Sequence, residues 1–263
     1  MAFPYKNVLM IGATSGLGLA LAERMIENGI FVIGVGRRKE RLDEFVAKHG
    51  PQKAAASQFD ITNLHGIPTW VEDITKRHPS IDAVVLNSGI QRPVDFTKPK
   101  NIDLDLVQHE ITTNYTSYIS LITHFLPHLQ SRSPNPTALI TVTSGLALVP
   151  LPRCANYCAT KAALHSLCWT LRAQLGEDEA SKHIRVIELV PPAVQTELHT
   201  QQGLSQLGIP IEEFTDDAWR GLLADEEEIL VGPIKDRFGR VEVGRKEAFR
   251  GLLEAVKNQE VKH

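Results

Sequence analysis

The sequence predicts an α/β fold: a single doubly wound parallel sheet of about seven strands with helices on both faces. Two observations carry that prediction. Short apolar runs alternate with segments of helical periodicity from residue 7 almost to the end of the chain, the rhythm of strand–helix–strand units with right-handed crossovers. The runs are also unbroken stretches of β-branched and aliphatic residues, as strands covered on both faces must be. With 43% apolar and 22% charged residues, such a chain buries a large core without metals or disulfides.

The first strand is Asn7–Ile11, followed by Gly12-Ala13-Thr14-Ser15-Gly16-Leu17-Gly18. Residues 17–28 then carry apolar side chains at helical spacing, and Gly29 closes that helix as a C-cap. A second strand over 30–35 runs into Gly36-Arg37-Arg38, with a charged helix to about residue 48. Residues 54–59 predict a third strand, stopping at Asp60, and 81–86 a fourth, stopping at Asn87-Ser88-Gly89. A long helix is expected over 103–129, then a strand over 138–142, a helix over 153–175, and a strand over 185–190 that meets Pro191-Pro192. Residues 229–232 predict the last strand and 245–256 a terminal helix. With no repeat, low-complexity tract or linker, residues 1–263 read as one domain. The stretch 196–228 is acidic and breaks the rhythm; it reads as a loop-rich insertion that covers the substrate.

The formal net charge is −3 and the basic residues form no long run, which argues against nucleic acid or an anionic membrane as partner. Cys154, Cys158 and Cys168 lack the second pair a zinc site needs, and the histidines are scattered, so no metal is expected. Three reduced thiols suit a reducing compartment. The amino terminus runs into an apolar strand with no secretory leader, and no apolar run reaches the ~18–20 residues of a membrane span. A cytoplasmic protein is expected.

Gly12, Gly16 and Gly18 fall between the first strand and the first helix with Gly-x-x-x-Gly-x-Gly spacing, and Thr14, Ser15 and Leu17 belong to the same turn. Such a turn lets a pyrophosphate approach the backbone, and the helix behind it offers free N–H groups and a favourable dipole. A nucleotide-binding, Rossmann-like sheet is the expectation. The end of the second strand selects between NAD and NADP, because a carboxylate there would hold the ribose 2′-hydroxyl. Gly36 stands there instead, followed by Arg37 and Arg38. An arginine pair suits a 2′-phosphate, so NADP(H) is the expected cofactor, with Arg37 mattering more than Arg38. Asp60, with Ile61 after it, can reach the adenine amino group, cap the helix that follows, or do both.

Tyr157 and Lys161 are four residues apart on a predicted helix, hence on one face. A tyrosine is a poor base at neutral pH, but a neighbouring ammonium favours its phenolate. The pair is a tuned general acid/base, able to give a proton to a carbonyl oxygen as hydride reaches the carbon. Ser144 lies at the end of the 138–142 strand, on the same sheet edge as Gly12 and Asn87-Ser88-Gly89. Ligands bind at that edge in open α/β sheets. Asn114 is a poor helix former in the middle of a long helix.

In this order the motifs resemble the short-chain dehydrogenase/reductase family over nearly the whole chain. Gly12-x-x-x-Gly16-x-Gly18 is similar to its glycine motif, and Asn87-Ser88-Gly89 to the segment that steadies its central sheet. Asn114, Ser144, Tyr157 and Lys161 fall where the family has its catalytic tetrad. The resemblance implies that Ser144 positions and polarises the substrate oxygen. It implies that Lys161 binds the nicotinamide ribose and lowers the pKa of Tyr157, and that Asn114 holds a water in a proton relay. It also implies cofactor contacts from the loop that starts at Pro191, with Val194 and Thr196 at the carboxamide and phosphate. The sequence departs from the family at Pro192, where glycine is usual and proline cannot adopt a positive φ. A second departure is Ser88, where alanine is common.

Leu146, Leu148, Val149, Leu151 and Pro152, with Leu198, His199 and Leu204 beyond Thr196, form the expected substrate wall. It is mostly apolar and points to a hydrophobic ketone, aldehyde or alcohol as the small-molecule partner. His199 is expected to be an exposed loop residue and Cys158 to be packing. By the family resemblance the helices near 103–130 and 153–176 form a dimer interface, so a homodimer or homotetramer is expected. Two other functions would use the same fold and cofactor. One is different chemistry, such as imine reduction, epimerisation, dehydration or cyclisation; the other is NADP(H) sensing without catalysis.

Overall fold

The computed structural model describes residues 3–200, 202–204 and 207–260, so residues 201, 205 and 206 of the expected covering segment lie outside the described residues. The strands are β1 (Asn7–Ile11), β2 (Phe31–Gly36), β3 (Ala54–Gln58), β4 (Ala83–Leu86), β5 (Thr137–Val142), β6 (Ile184–Val190) and β7 (Glu228–Leu230). They form one seven-stranded sheet in the order β3-β2-β1-β4-β5-β6-β7, and every pairing is parallel. The order reverses between β1 and β4. Connections from these two strands therefore leave in opposite directions and open a crevice at their carboxyl ends.

The helices are α1 (Gly16–Glu27), α2 (Lys39–His49), α3 (Ile67–Arg77), α4 (Leu104–Ile111), α5 (Ser117–Gln130), α6 (Ala155–Glu177), α7 (Glu197–Thr200), α8 (Ile211–Leu223) and α9 (Pro233–Glu260). Alternation along β1 feeds a core on each side of the sheet. Val8 and Met10 pack with Leu21 and Met25 of α1, Phe45 of α2, and Phe214 and Trp219 of α8. Leu9 and Ile11 pack on the other face with Trp70 and Ile74 of α3, Phe125 of α5 and Leu164 of α6. Register holds the two cores apart. Leu9 pairs with Ile33 on one side and Val84 on the other, and a slip of one residue would exchange every side chain between the faces.

The helix expected over 103–129 is two helices in one rod. Asp103 caps α4 by accepting from the Asp105 and Leu106 N–H groups at 3.0 and 3.1 Å. A π-turn over Thr112–Thr116 then joins α4 to α5, and Asn114 sits in it. A π-turn widens the helix by one residue, a distortion found mostly where a side chain must be re-aimed.

Two differences from expectation lie in the carboxy-terminal third. The stretch 196–228 is not loop throughout, because α8 occupies its centre. Phe214, Ala218, Trp219 and Leu222 form a buried stripe on that helix, while Glu212, Glu213 and Asp216 supply its acidic character on the solvent side. The terminal helix begins at Pro233 rather than at residue 245, with Gly232 at a φ of +53° turning the chain into it.

A buried charge cluster fastens α9 to the sheet. His165 of α6 lies 2.8 Å from Glu188 of β6 and 2.9 Å from Glu242 of α9, and all three side chains are buried. Burial alone would lower the His165 pKa; the two glutamates outweigh it and raise it to about 9, so this histidine is a cation at neutral pH. Among the described residues, no helix is long and apolar enough to cross a membrane.

Candidate active site

A cleft of about 580 Å³ runs along the carboxyl ends of the strands. Of the residues expected to bind cofactor or to catalyse, all but Gly18 and Asn114 line it. Those two act from behind. A Cβ on Gly18 would stand 2.2 Å from the Gly12 carbonyl oxygen, so only glycine lets α1 pack this close to the turn. Gly12 has a φ of +91°, and a Cβ there would meet the Ser88 nitrogen at 2.9 Å. Asn87 draws the two segments together by donating to the Gly12 carbonyl at 3.2 Å. Ser15 precedes α1 and makes no side-chain bond to the first N–H groups of the helix. Those donors, with a glycine cradle that a Cβ would fill, fit a dinucleotide pyrophosphate.

Charge pairing organises the end of the cleft below β2. Arg38 donates to Thr14 Oγ1 at 2.9 Å, to Ser15 Oγ at 2.7 Å and to Glu197 Oε2 at 2.9 Å. Arg41 donates to the other oxygen of Glu197 at 2.5 Å. Hydrogen bonds from Arg38, and then Arg41, hold the Glu197 carboxyl below its usual range. Arg37 is 60% exposed and lies 3.8 Å from Asp60 Oδ2. The other oxygen of Asp60 accepts from the Thr62 N–H and hydroxyl at 3.0 and 2.8 Å. Asp60 thus closes a local turn and caps no helix. Asn63 caps the short turn after it, and α3 starts only at Ile67.

The catalytic candidates converge where β5 meets α6. The Tyr157 phenol faces the Ser144 side chain, which favours its ionised form, and Ser144 Oγ accepts the Leu146 N–H at 3.1 Å. Lys161 Nζ donates to the Val142 carbonyl at 2.8 Å and lies 5.7 Å from the centre of the Tyr157 ring. Burial pushes the Tyr157 phenol above its ordinary pKa, outweighing the opposite influence of Ser144, and lowers Lys161 to about 8. The expected lowering of the tyrosine pKa is therefore corrected, because desolvation dominates. At neutral pH Tyr157 is a neutral phenol, a proton donor, beside a lysine that is mostly ammonium.

Asn114 proves to be a clamp. Its amide nitrogen donates to the Ile90 carbonyl at 2.9 Å and to Thr160 Oγ1 at 3.1 Å, while its Oδ1 accepts the Ile90 N–H at 2.9 Å. Both amide hydrogens are used, and one lone pair of Oδ1 is left. A Cβ on Gly89 would stand 3.5 Å from that oxygen and 3.6 Å from Lys161 Nζ. Glycine thus keeps a small polar space open between the two.

The family model for short chain dehydrogenase matches residues 6–206. The chain belongs to the short-chain dehydrogenase family. It is an oxidoreductase of a family that uses a nicotinamide cofactor. This dehydrogenase is 37% identical over 233 residues to the uncharacterized oxidoreductase DltE of Bacillus subtilis, across 87% of this chain and 89% of that one. It is 30% identical over 197 residues to the Saccharomyces cerevisiae benzil reductase ((S)-benzoin forming) IRC24, across 73% of each. A solved short-chain dehydrogenase from Sphingobium yanoikuyae, in complex with NADPH, superposes with a TM-score of 0.80 at 25% identity, across 95% of both chains.

The residues expected to form a substrate wall fall only in part on the cleft. Leu146, Leu151, Leu198 and His199 line the cleft. Leu148 and Val149 instead pack beneath it with Val190 and Ile234, and Pro152 and Leu204 do not line it. His199 is buried rather than exposed, with Nδ1 2.9 Å from the Val194 carbonyl oxygen. Cys158 is buried beside Cys154, with the sulfurs 3.9 Å apart, and both are free thiols. Pro191 and Pro192 line the cleft, and the Pro191 carbonyl accepts the Gly145 N–H at 2.8 Å. Gln91, Arg153, Gln202 and Leu207 also line it and carried no signal in the sequence. Nor did Ile234, Arg237 and Phe238, which come from the first turns of α9.

Proposed function

We propose that this dehydrogenase is an NADP(H)-dependent carbonyl reductase whose general acid/base is Tyr157, acting on a small molecule with an apolar body. The observation that carries the proposal is the convergence of the buried Tyr157 phenol with Ser144 and Lys161 in a glycine-cradled cleft. When bound, the cofactor supplies the hydride that reduces the carbonyl carbon. Ser144 orients the carbonyl oxygen towards Tyr157, and the phenol gives its proton to that oxygen. The Lys161 ammonium and the Ser144 hydroxyl then stabilise the phenolate. A water between Asn114 Oδ1 and Lys161 Nζ, beside Gly89, would carry the replacement proton.

Arg37, Arg38 and Arg41 favour NADP(H), since a guanidinium fork matches a 2′-phosphate. Leu146, Leu151, Leu198 and Phe238 favour an apolar ketone or aldehyde. Carbonyl reduction is also in keeping with a relative named for reducing benzil. The test is a titration with NADPH beside NADH, followed by absorbance at 340 nm with apolar ketones and aldehydes. NADPH should bind at least ~10-fold tighter, as one added charge-assisted hydrogen bond gives, and be consumed in step with the alcohol formed. Failure to bind either nucleotide overturns the proposal. Tight binding with no oxidation of NADPH overturns the hydride step and favours sensing or other chemistry.

A further inference from the structure

We infer that Arg153 forms an anion subsite at the substrate end of the cleft, so that the carbonyl compound this enzyme reduces carries a carboxylate on its apolar body. The identity of that compound as a substrate rests on the proposed hydride transfer; the subsite itself rests on the arrangement around Arg153.

Arg153 lies four residues before Tyr157 and lines the cleft with it. Arg153 is half-buried, and its guanidinium meets only neutral partners. One nitrogen donates to Gln202 Oε1 at 3.0 Å, and another reaches Gln91 Oε1 at 3.5 Å, a weak contact. A guanidinium has five N–H donors in a fixed fork, and a charge withdrawn from water is ordinarily paired. Among the described residues, no carboxylate pairs with Arg153. The carboxylates that line the cleft are Asp60 and Glu197. Both are at the far end, engaged by Arg37 and by Arg38 with Arg41. Glu110 is buried behind the wall and does not line the cleft; its oxygens accept from the Arg92 N–H at 2.9 Å and Asn156 Nδ2 at 2.6 Å.

The fork is also held in place. Gln202 donates to the Leu198 carbonyl at 2.7 Å and to Gln91 Oε1 at 3.3 Å, so the two glutamines whose oxygens meet the guanidinium are tied to each other and to the backbone. The remaining N–H groups are left to a ligand. Leu146, Leu151, Leu207 and Phe238 line the same cleft. An apolar chain along those side chains, a carbonyl at Tyr157 and a carboxylate on Arg153 would match all three features, because arginine binds carboxylates through two parallel hydrogen bonds.

Binding is read first, without turnover. The NADPH-loaded enzyme is titrated with 4-methylpentanoate and with 4-methylpentanamide, following NADPH fluorescence. The carboxylate should bind at least ~10-fold tighter than its neutral amide. Arg153→Gln should level the two, while Arg153→Lys, which keeps the charge, should retain part of the preference. Equal binding of acid and amide by the wild type, or an undiminished preference in Arg153→Gln, overturns the subsite. Oxidation of NADPH is then followed with 5-methyl-4-oxohexanoate and its amide, where the preference should appear in KM. Turnover of both at equal kcat/KM overturns the subsite and leaves hydride transfer standing. Discrimination in binding with turnover of neither supports the subsite and counts against the hydride step.

Discussion

At the end of the cleft below β2, the lining arginines have carboxylates beside them; at the substrate end, Arg92, Arg153 and Arg237 make no ion pair among the described residues. The same side chain is thus in two electrostatic states within one cavity. A paired guanidinium gains from a phosphate only what is left after its carboxylate has been displaced. An unpaired and partly desolvated one gains the full interaction. Discrimination between cofactors should therefore be moderated by Asp60 and Glu197, whereas discrimination between substrates should depend directly on Arg153.

The sharpest way to break this contrast is Arg37→Asp, which removes a phosphate ligand and adds a repelling charge. NADPH affinity should fall about 100-fold, the sum of a lost and a reversed interaction, with NADH nearly unchanged. Equal losses for the two nucleotides in a fluorescence titration would contradict a 2′-phosphate site.

Next in size is the pH dependence of stability set by His165, the buried cation between two glutamates. Its pKa is raised from 6.5 to about 9 on folding, so between those values the folded chain binds more protons than the unfolded one. Its contribution is full below about pH 6.5 and is lost as pH rises through about 9. Lys161, lowered from 10.5 to about 8 by burial, works in the opposite sense above pH 8, so the clean window is 6.5–8. Unfolding in urea should show stability falling by about 1–2 kcal/mol across that window. The fall should be absent in His165→Gln, and a wild-type profile as flat as that variant's would mean that His165 is neutral and α9 is held otherwise.

The smallest effect belongs to Glu197→Gln. With its carboxylate neutralised, Arg38 and Arg41 are freed for phosphate, and NADPH should bind a few-fold (roughly 3-fold) tighter while NADH does not change. Weaker binding of both nucleotides would show instead that Glu197 chiefly anchors α7.

What was legible in the sequence was local. The strands announced themselves as unbroken aliphatic runs, and Gly12, Gly16 and Gly18 as a turn that lets a pyrophosphate approach the backbone; that Gly12 and Gly18 also let backbone approach backbone emerged only in three dimensions. Tyr157 and Lys161 stood out because helical spacing alone puts them on one face. Asn114 was visible as a poor helix former, but not as the clamp on Ile90 and Thr160 that the π-turn makes of it. The losses were tertiary or compositional. Acidic residues around Phe214, Ala218 and Trp219 concealed a helical stripe. Gly239 and Gly244 interrupted α9, so its first turns and the cleft residues Ile234 and Phe238 went unread. His199 is buried by a bond to the Val194 carbonyl, and Glu197 reaches Arg38 across 159 residues of chain. No periodicity reports contacts of that kind, nor that burial would outweigh every other influence on the Tyr157 phenol.

The most direct test of the proposed chemistry is the rate of NADPH oxidation by Tyr157→Phe, with the ketone or aldehyde the wild type reduces fastest. NADPH affinity is measured on the same preparations. Loss of the general acid should lower turnover by ~10³-fold with nucleotide affinity held within about two-fold, since the ring and its packing remain. Turnover within a few-fold (roughly 3-fold) of the wild type, on a scale where general acids contribute ~10²–10⁴-fold, would contradict Tyr157 as the proton donor.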